Sequence, residues 1–89
     1  MKIYLLESRP TVKKDIKNLP KSVISRCKSV ILSLAENPLP VGAIKLKNYS
    51  STYRIRFGNY RIIYLVDNKK SIITVLKIGH RKDIYRKFA

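Results

Sequence analysis

Between Tyr53 and Tyr64 the chain reads Tyr-Arg-Ile-Arg-Phe-Gly-Asn-Tyr-Arg-Ile-Ile-Tyr, two alternating runs on either side of Gly58-Asn59. Alternation with a period of two marks a half-buried strand. A glycine at the first central position suits a two-residue type II′ turn. That turn sets a register in which Phe57 faces Tyr60, Arg56 faces Arg61, Ile55 faces Ile62, Arg54 faces Ile63 and Tyr53 faces Tyr64. Directly opposed residues share a face. Tyr53, Ile55, Phe57, Tyr60, Ile62, Tyr64 and Val66 therefore form one side of the hairpin, and Arg54, Arg56 and Arg61 the other.

The remaining pattern supplies the elements around this hairpin. Lys2 to Glu7 holds Ile3, Tyr4, Leu5 and Leu6 in succession, which predicts a first strand buried on both faces and central in a sheet. Ser8 or Arg9 then caps a helix with Pro10 in its first turn. Val12, Ile16 and Leu19 recur at helical spacing. Pro20 opens a second helix whose stripe of Val23, Cys27, Val30 and Leu34, with Ile24 and Ile31, faces the core, and Asn37-Pro38 ends it. Ala43 to Lys47 alternates weakly, as a short strand with Lys45 and Lys47 on one face. Ser71 to Ile78 is a strand ended by Gly79, but Thr74 and Lys77 have opposite parity and leave its buried face open. The basic end, His80 to Ala89, is a final helical turn or two, anchored by Ile84 and Phe88. The fold class is α+β in two layers, with an N-terminal strand and an α-hairpin packed on an antiparallel sheet of about four strands.

Composition narrows the setting. The 89 residues make a single domain, 1–89, with one core. Lys and Arg number 20 against 5 Asp and Glu, a formal charge of +15, which points to a polyanionic or acidic partner. With 45% hydrophobic residues the chain is no disordered basic tail. It has no apolar run near the ~20 residues that span a bilayer, and the four apolar residues after Lys2 are too few for the core of a secretory signal. The expected location is the cytoplasm, with no membrane partner. Cys27 is the only cysteine, so neither an internal disulfide nor a zinc cluster can form. The glycines at 42, 58 and 79 make no phosphate loop, and the expected cofactors and metals are none.

The arginine side of the hairpin carries the candidate chemistry. Like charges opposed across strands weaken a sheet by roughly 0.2–1 kcal/mol per pair, and no acidic residue occurs between Glu36 and Asp67 to offset them. A solvated face would account for the charge alone. Three guanidinium forks on one patch also match phosphate oxygens.

These pieces together resemble the RelE-type toxins of the RelE/ParE superfamily, the ribonuclease half of prokaryotic toxin–antitoxin pairs. The resemblance spans nearly the whole chain: the opening with Lys13-Lys14-Asp15-Ile16-Lys17-Asn18-Leu19-Pro20, then Lys45-Leu46-Lys47, the Tyr53–Tyr64 hairpin, and Gly79-His80-Arg81 with Tyr85. It implies an mRNA endoribonuclease acting in the ribosomal A site, where the messenger's 2′-hydroxyl attacks the adjacent phosphate without a metal. It assigns Arg54, Arg56 and Arg61 to the basic hairpin positions, Arg81 to the catalytic arginine and Tyr85 to the tyrosine at the scissile nucleotide. Lys45, Lys47, His80 and Lys82 become RNA contacts. The family often has lysine where Arg54 and Arg56 stand, which leaves the proton carrier open between a tyrosine of lowered pKa and His80. The implied partners are the ribosome, mRNA and an acidic RelB-like antitoxin, and the pairing admits a toxin–antitoxin heterotetramer. The alternatives are a ParE-like toxin that poisons gyrase and an inactive basic nucleic-acid-binding module.

Overall fold

A computed structural model describes residues 3–80 of the chain. It contains β1 (Leu5–Ser8), α1 (Thr11–Lys17), α2 (Lys21–Glu36), β2 (Ile44–Lys45), β3 (Thr52–Phe57), β4 (Tyr60–Asp67) and β5 (Ile72–His80). The strands form one sheet in the order β1-β5-β4-β3-β2. Four of them, β2 to β5, are antiparallel, and β1 joins the same sheet parallel to β5. The two-layer α+β arrangement is as expected, with the sheet mixed and five-stranded rather than purely antiparallel. The C-terminal helix expected after His80 lies outside the described residues.

The hairpin adopts the register that its turn dictates, from Phe57 against Tyr60 to Tyr53 against Tyr64. Gly58 has φ of +58°, while Asn59 does not enter the positive-φ region. Positive φ at the first central residue alone is the type II′ pattern, which a side chain at that position would oppose.

The first strand departs from its expected central place. It is an edge strand, and its apolar run divides by parity: Tyr4 and Leu6 pack on the core while Ile3 and Leu5 stay 66% and 68% exposed. Among the described residues helices cover one face of the sheet only, and on that face alone the run is buried. The cap of α1 differs too. Pro10 occupies it without a side-chain hydrogen bond, because Ser8 and Arg9 still belong to the extended segment, where the Arg9 N–H donates to Val75.

Two further differences concern strand ends. Only Ile44 and Lys45 of the expected Ala43–Lys47 strand pair with β3, and Lys47 lies in the turn that follows. The second is in β5, which runs through Gly79 to His80, with Gly79 opposite Arg61. A glycine there keeps the ladder and presents no side chain beside its arginine neighbour.

The parity conflict in β5 is resolved by a bulge. Ile63 pairs with Lys77 but Tyr64 pairs with Val75, so Leu76 is one extra residue. An inserted residue resets alternation. Ile73, Val75 and Ile78 all reach the helix-facing core, and Thr74 and Leu76 turn away from it. That core also takes Val12, Cys27, Leu34, Phe57, Ile62, Tyr64 and Val66. Each large apolar side chain buried there contributes about 1.5–3 kcal/mol.

Among the described residues no strand lies beside the edge of β5 beyond Ser8. Asp15 of α1 closes this gap: its carboxylate accepts the Ile78 N–H at 3.1 Å and pairs with Lys77. Both side chains are largely shielded, 9% and 17% exposed. Asp15→Ala leaves an edge donor and an ammonium without their acceptor, and is expected to cost about 2 kcal/mol of unfolding free energy. Asp15→Asn, which keeps a carbonyl acceptor, should cost less. Urea unfolding midpoints measure both, and equal midpoints for all three proteins would contradict this role.

Candidate nucleic-acid interface

The face of the sheet turned away from the helices is built in rows across the strands. Thr52, Leu65 and Thr74 align in one row, Arg54 and Ile63 in the next, and Arg56, Arg61 and Gly79 in the last. Alternation alone places the three arginines here, since their neighbours Tyr53, Ile55, Phe57, Tyr60 and Ile62 are drawn into the core on the other side. This face is not wholly polar, however. Ile63 and Leu76 are buried in a small second cluster capped by Leu46 and Leu65, and this apolar floor lies under the row of Arg54.

Arg56 is exposed, Arg54 and Arg61 are half-buried. Arg61 is distinctive. Its Nε and Nη1 are closed off from solvent, yet meet no hydrogen-bond partner among the described residues. Donors of a charged group held in that state cost free energy, about 1–3 kcal/mol or more, and Arg56 directly opposite adds repulsion. Two of the described carboxylates are engaged elsewhere. Asp15 serves Lys77 and Ile78, and Asp67 accepts the Lys69 and Lys70 N–H groups of its turn. An anion supplied from outside would satisfy the arginine row.

The other sequence-predicted site residues do not all gather here. Lys45 pairs with Tyr53 and so has the opposite parity to the arginines; Ile44 stands in register with Arg54. Lys47, exposed in the next turn, lines a shallow groove with Lys45, Leu46, Asn48 and Tyr49. His80 is opposite Tyr60 on the helix-facing side, its ring edge-on to the Tyr60 ring at 5.7 Å. It borders a separate groove with Lys14 and Asn18 of the α1 segment. Arg81, Lys82 and Tyr85 lie outside the described residues.

Two residues outside the predicted site, Arg9 and Tyr49, flank a third groove floored by Leu65, Thr74 and Leu76. Nothing in the local pattern brings these positions together, since β1 and the β2–β3 loop meet the sheet from opposite edges.

Buried groups elsewhere are tuned for structure. Burial pushes the Cys27 thiol up to about 11, which leaves it protonated and a poor nucleophile at neutral pH. Tyr64, fully buried with its hydroxyl donating to the Pro38 carbonyl at 2.7 Å, is pushed up to about 12 by burial and by the neighbouring Tyr53.

Residues 6–85 match the family model described as "ParE toxin of type II toxin-antitoxin system, parDE". The chain is 38% identical over 82 residues to toxin RelE3 of Methanocaldococcus jannaschii, covering 88% of this chain and 91% of that one. It is 28% identical over 85 residues to toxin RelG of Mycobacterium tuberculosis, covering 94% and 98%. Among solved structures, the archaeal RelE-RelB complex from Pyrococcus horikoshii contains a chain similar to this one at 32% identity and a TM-score of 0.80, covering 89% of this chain and 96% of that one.

Proposed function

The chain belongs to the RelE/ParE superfamily of toxins from type II toxin–antitoxin systems, and on that premise we propose that it is a ribosome-dependent mRNA endoribonuclease. The observation that carries this reading is the half-buried Arg61, whose Nε and Nη1 meet no partner among the described residues, opposite Arg56. A scissile phosphate would supply the missing acceptor.

The reaction needs little besides charge and positioning. The messenger's 2′-oxygen bonds to phosphorus and loses its proton, the bond from phosphorus to the 5′-oxygen breaks, and that oxygen takes up a proton. The products are a 2′,3′-cyclic phosphate and a 5′-hydroxyl. Negative charge grows on the non-bridging oxygens, and cations already in place lower the barrier by a few kcal/mol each. Arg61 and Arg56 are placed to hold those oxygens, with Arg54 one row away. Arg81 and Tyr85 complete the proposed catalytic set, and Lys45, Lys47, His80 and Lys82 are proposed to hold flanking RNA. The proposed restraint is a RelB-like antitoxin, acidic enough to be steered by a +15 surface; RelE of the Pyrococcus complex is bound to RelB.

Purified protein added to programmed ribosomes with an empty A site should cut the messenger there and leave naked RNA intact, with a 2′,3′-cyclic or 3′-phosphate end. A folded protein that cuts neither would move the reading to a gyrase poison, which the family description also accommodates, and a supercoiling assay would then decide.

A further inference from the structure

The groove beside the arginine face has the makings of a second contact with the same strand. Its floor is Leu65, Thr74 and Leu76, its volume is about 520 Å³, and its walls are Arg9 on one side and Tyr49 with Ser50 on the other. An apolar floor between an aromatic ring and a guanidinium suits a flat, uncharged, polarisable group, and every nucleobase has such a face.

The loop that carries the ring is also held in place before anything binds. Tyr49 and Ser50 lie between Asn48 and Ser51, both at positive φ (68° and 51°). Non-glycine residues take that conformation at a cost of about 1–2 kcal/mol each. The loop is pinned by Leu46 N–H to the Thr52 carbonyl, by Val66 N–H to the Ser51 carbonyl, and by the Thr52 hydroxyl to the Ser50 carbonyl. Yet Tyr49 remains 40% exposed, and it also walls the groove of Lys45 and Lys47. An aromatic on a pinned loop, with cations on both sides, is a stacking platform whose backbone ordering cost is met at folding.

Distance and charge assign the groove a role separate from that of the arginine row. Thr52 is four residues from Arg56 along β3, or ~13 Å at ~3.4 Å per residue, so a nucleotide whose phosphate lies on Arg61 and Arg56 does not itself fill the groove. Glu7, aligned with Thr74 on β1, stands at the edge of the same row and opposes a second phosphate there.

We propose that the groove between Arg9 and Tyr49 is a base-stacking subsite for a nucleotide neighbouring the one held by the arginine row, so that it contributes to the choice of cleavage site. This rests on the nuclease reading, and the test is built to separate the two. The probe is a short single-stranded oligoribonucleotide with 2′-O-methyl sugars, which cannot be cut, together with a set carrying one abasic position each. Binding to the full chain is followed by fluorescence anisotropy. Tyr49→Ala should weaken binding of the intact oligomer about 5- to 100-fold, and Tyr49→Phe should not. One abasic oligomer of the set should already be weakened and lose nothing more on Tyr49→Ala. Arg9→Ala should weaken binding and lower the salt slope by about one, its backbone bond to Val75 being untouched. If Tyr49→Ala weakens all abasic oligomers as it does the intact one, or weakens none, the subsite is wrong while RNA binding stands. If the wild-type chain binds no oligomer, the subsite is wrong, and the nuclease reading is decided by the ribosome assay alone.

Discussion

Arg61→Met should reduce ribosome-dependent cleavage about 100- to 1000-fold while the thermal midpoint stays level or rises. The first half follows from placement. A preorganised cation aimed at developing charge typically accounts for about 2.7–4 kcal/mol of barrier lowering, which is that rate factor. The second half follows from the state of the guanidinium. Its Nε and Nη1 are shut away from water without partners among the described residues, opposite another arginine. Methionine keeps the aliphatic stem and removes the charge, so the burial cost disappears with the function. For a domain of this size ~1 kcal/mol corresponds to roughly 4–8 °C. Differential scanning calorimetry and the cleavage assay on one preparation read both quantities. A variant that is inactive because it melts early would show that Arg61 holds the sheet together and would undercut its catalytic assignment.

Alkaline unfolding is the second large effect. Cys27 and Tyr64 are 1% and 0% exposed, and burial raises them from 9.0 to about 11 and from 10.0 to about 12. Both are neutral when protonated, and each folded pKa lies above the unfolded one. Below pH 9 neither group makes stability depend on pH. Above it the unfolded chain releases protons that the folded chain retains, so stability falls with pH. The loss runs from pH 9 to 11 for Cys27 and from pH 10 to 12 for Tyr64, at about 3 kcal/mol each. Together these take a large part of the 5–15 kcal/mol typical of a native domain. Urea midpoints at pH 8, 10 and 11.5 should fall in sequence. Cys27→Ala should flatten the first part of the fall and Tyr64→Phe the second, although the phenylalanine variant starts lower for lack of the bond to Pro38. A profile that stays steep in the double variant would place the titrating groups elsewhere.

What could be read from the chain was what near neighbours decide. Gly58-Asn59 sets the hairpin turn, the turn sets the register from Phe57–Tyr60 to Tyr53–Tyr64, and alternation then sends the tyrosines inward and the arginines outward. The stripe on α2 likewise names Cys27 and Leu34 as core. The errors came where neighbours are distant. Ile3 to Leu6 has the composition of a buried strand, but a strand's place depends on what covers its second face, and none of the described residues covers that of β1.

Three features were settled by long-range packing alone. The bulge at Leu76 reconciles Thr74 with Lys77 because β4 and β5 each have a core face to satisfy, and one inserted residue lets both do so. Asp15 meets Lys77 and Ile78 across some sixty positions because β1 is too short to cover the edge of β5. Arg9 and Tyr49 wall one groove because β1 and the β2–β3 loop reach the same sheet from opposite sides. Turn chemistry and alternation act over two to four residues and are written in the order of the side chains. Strand order and edge coverage depend on which surfaces are left to bury once those local elements exist, and that balance belongs to the whole fold.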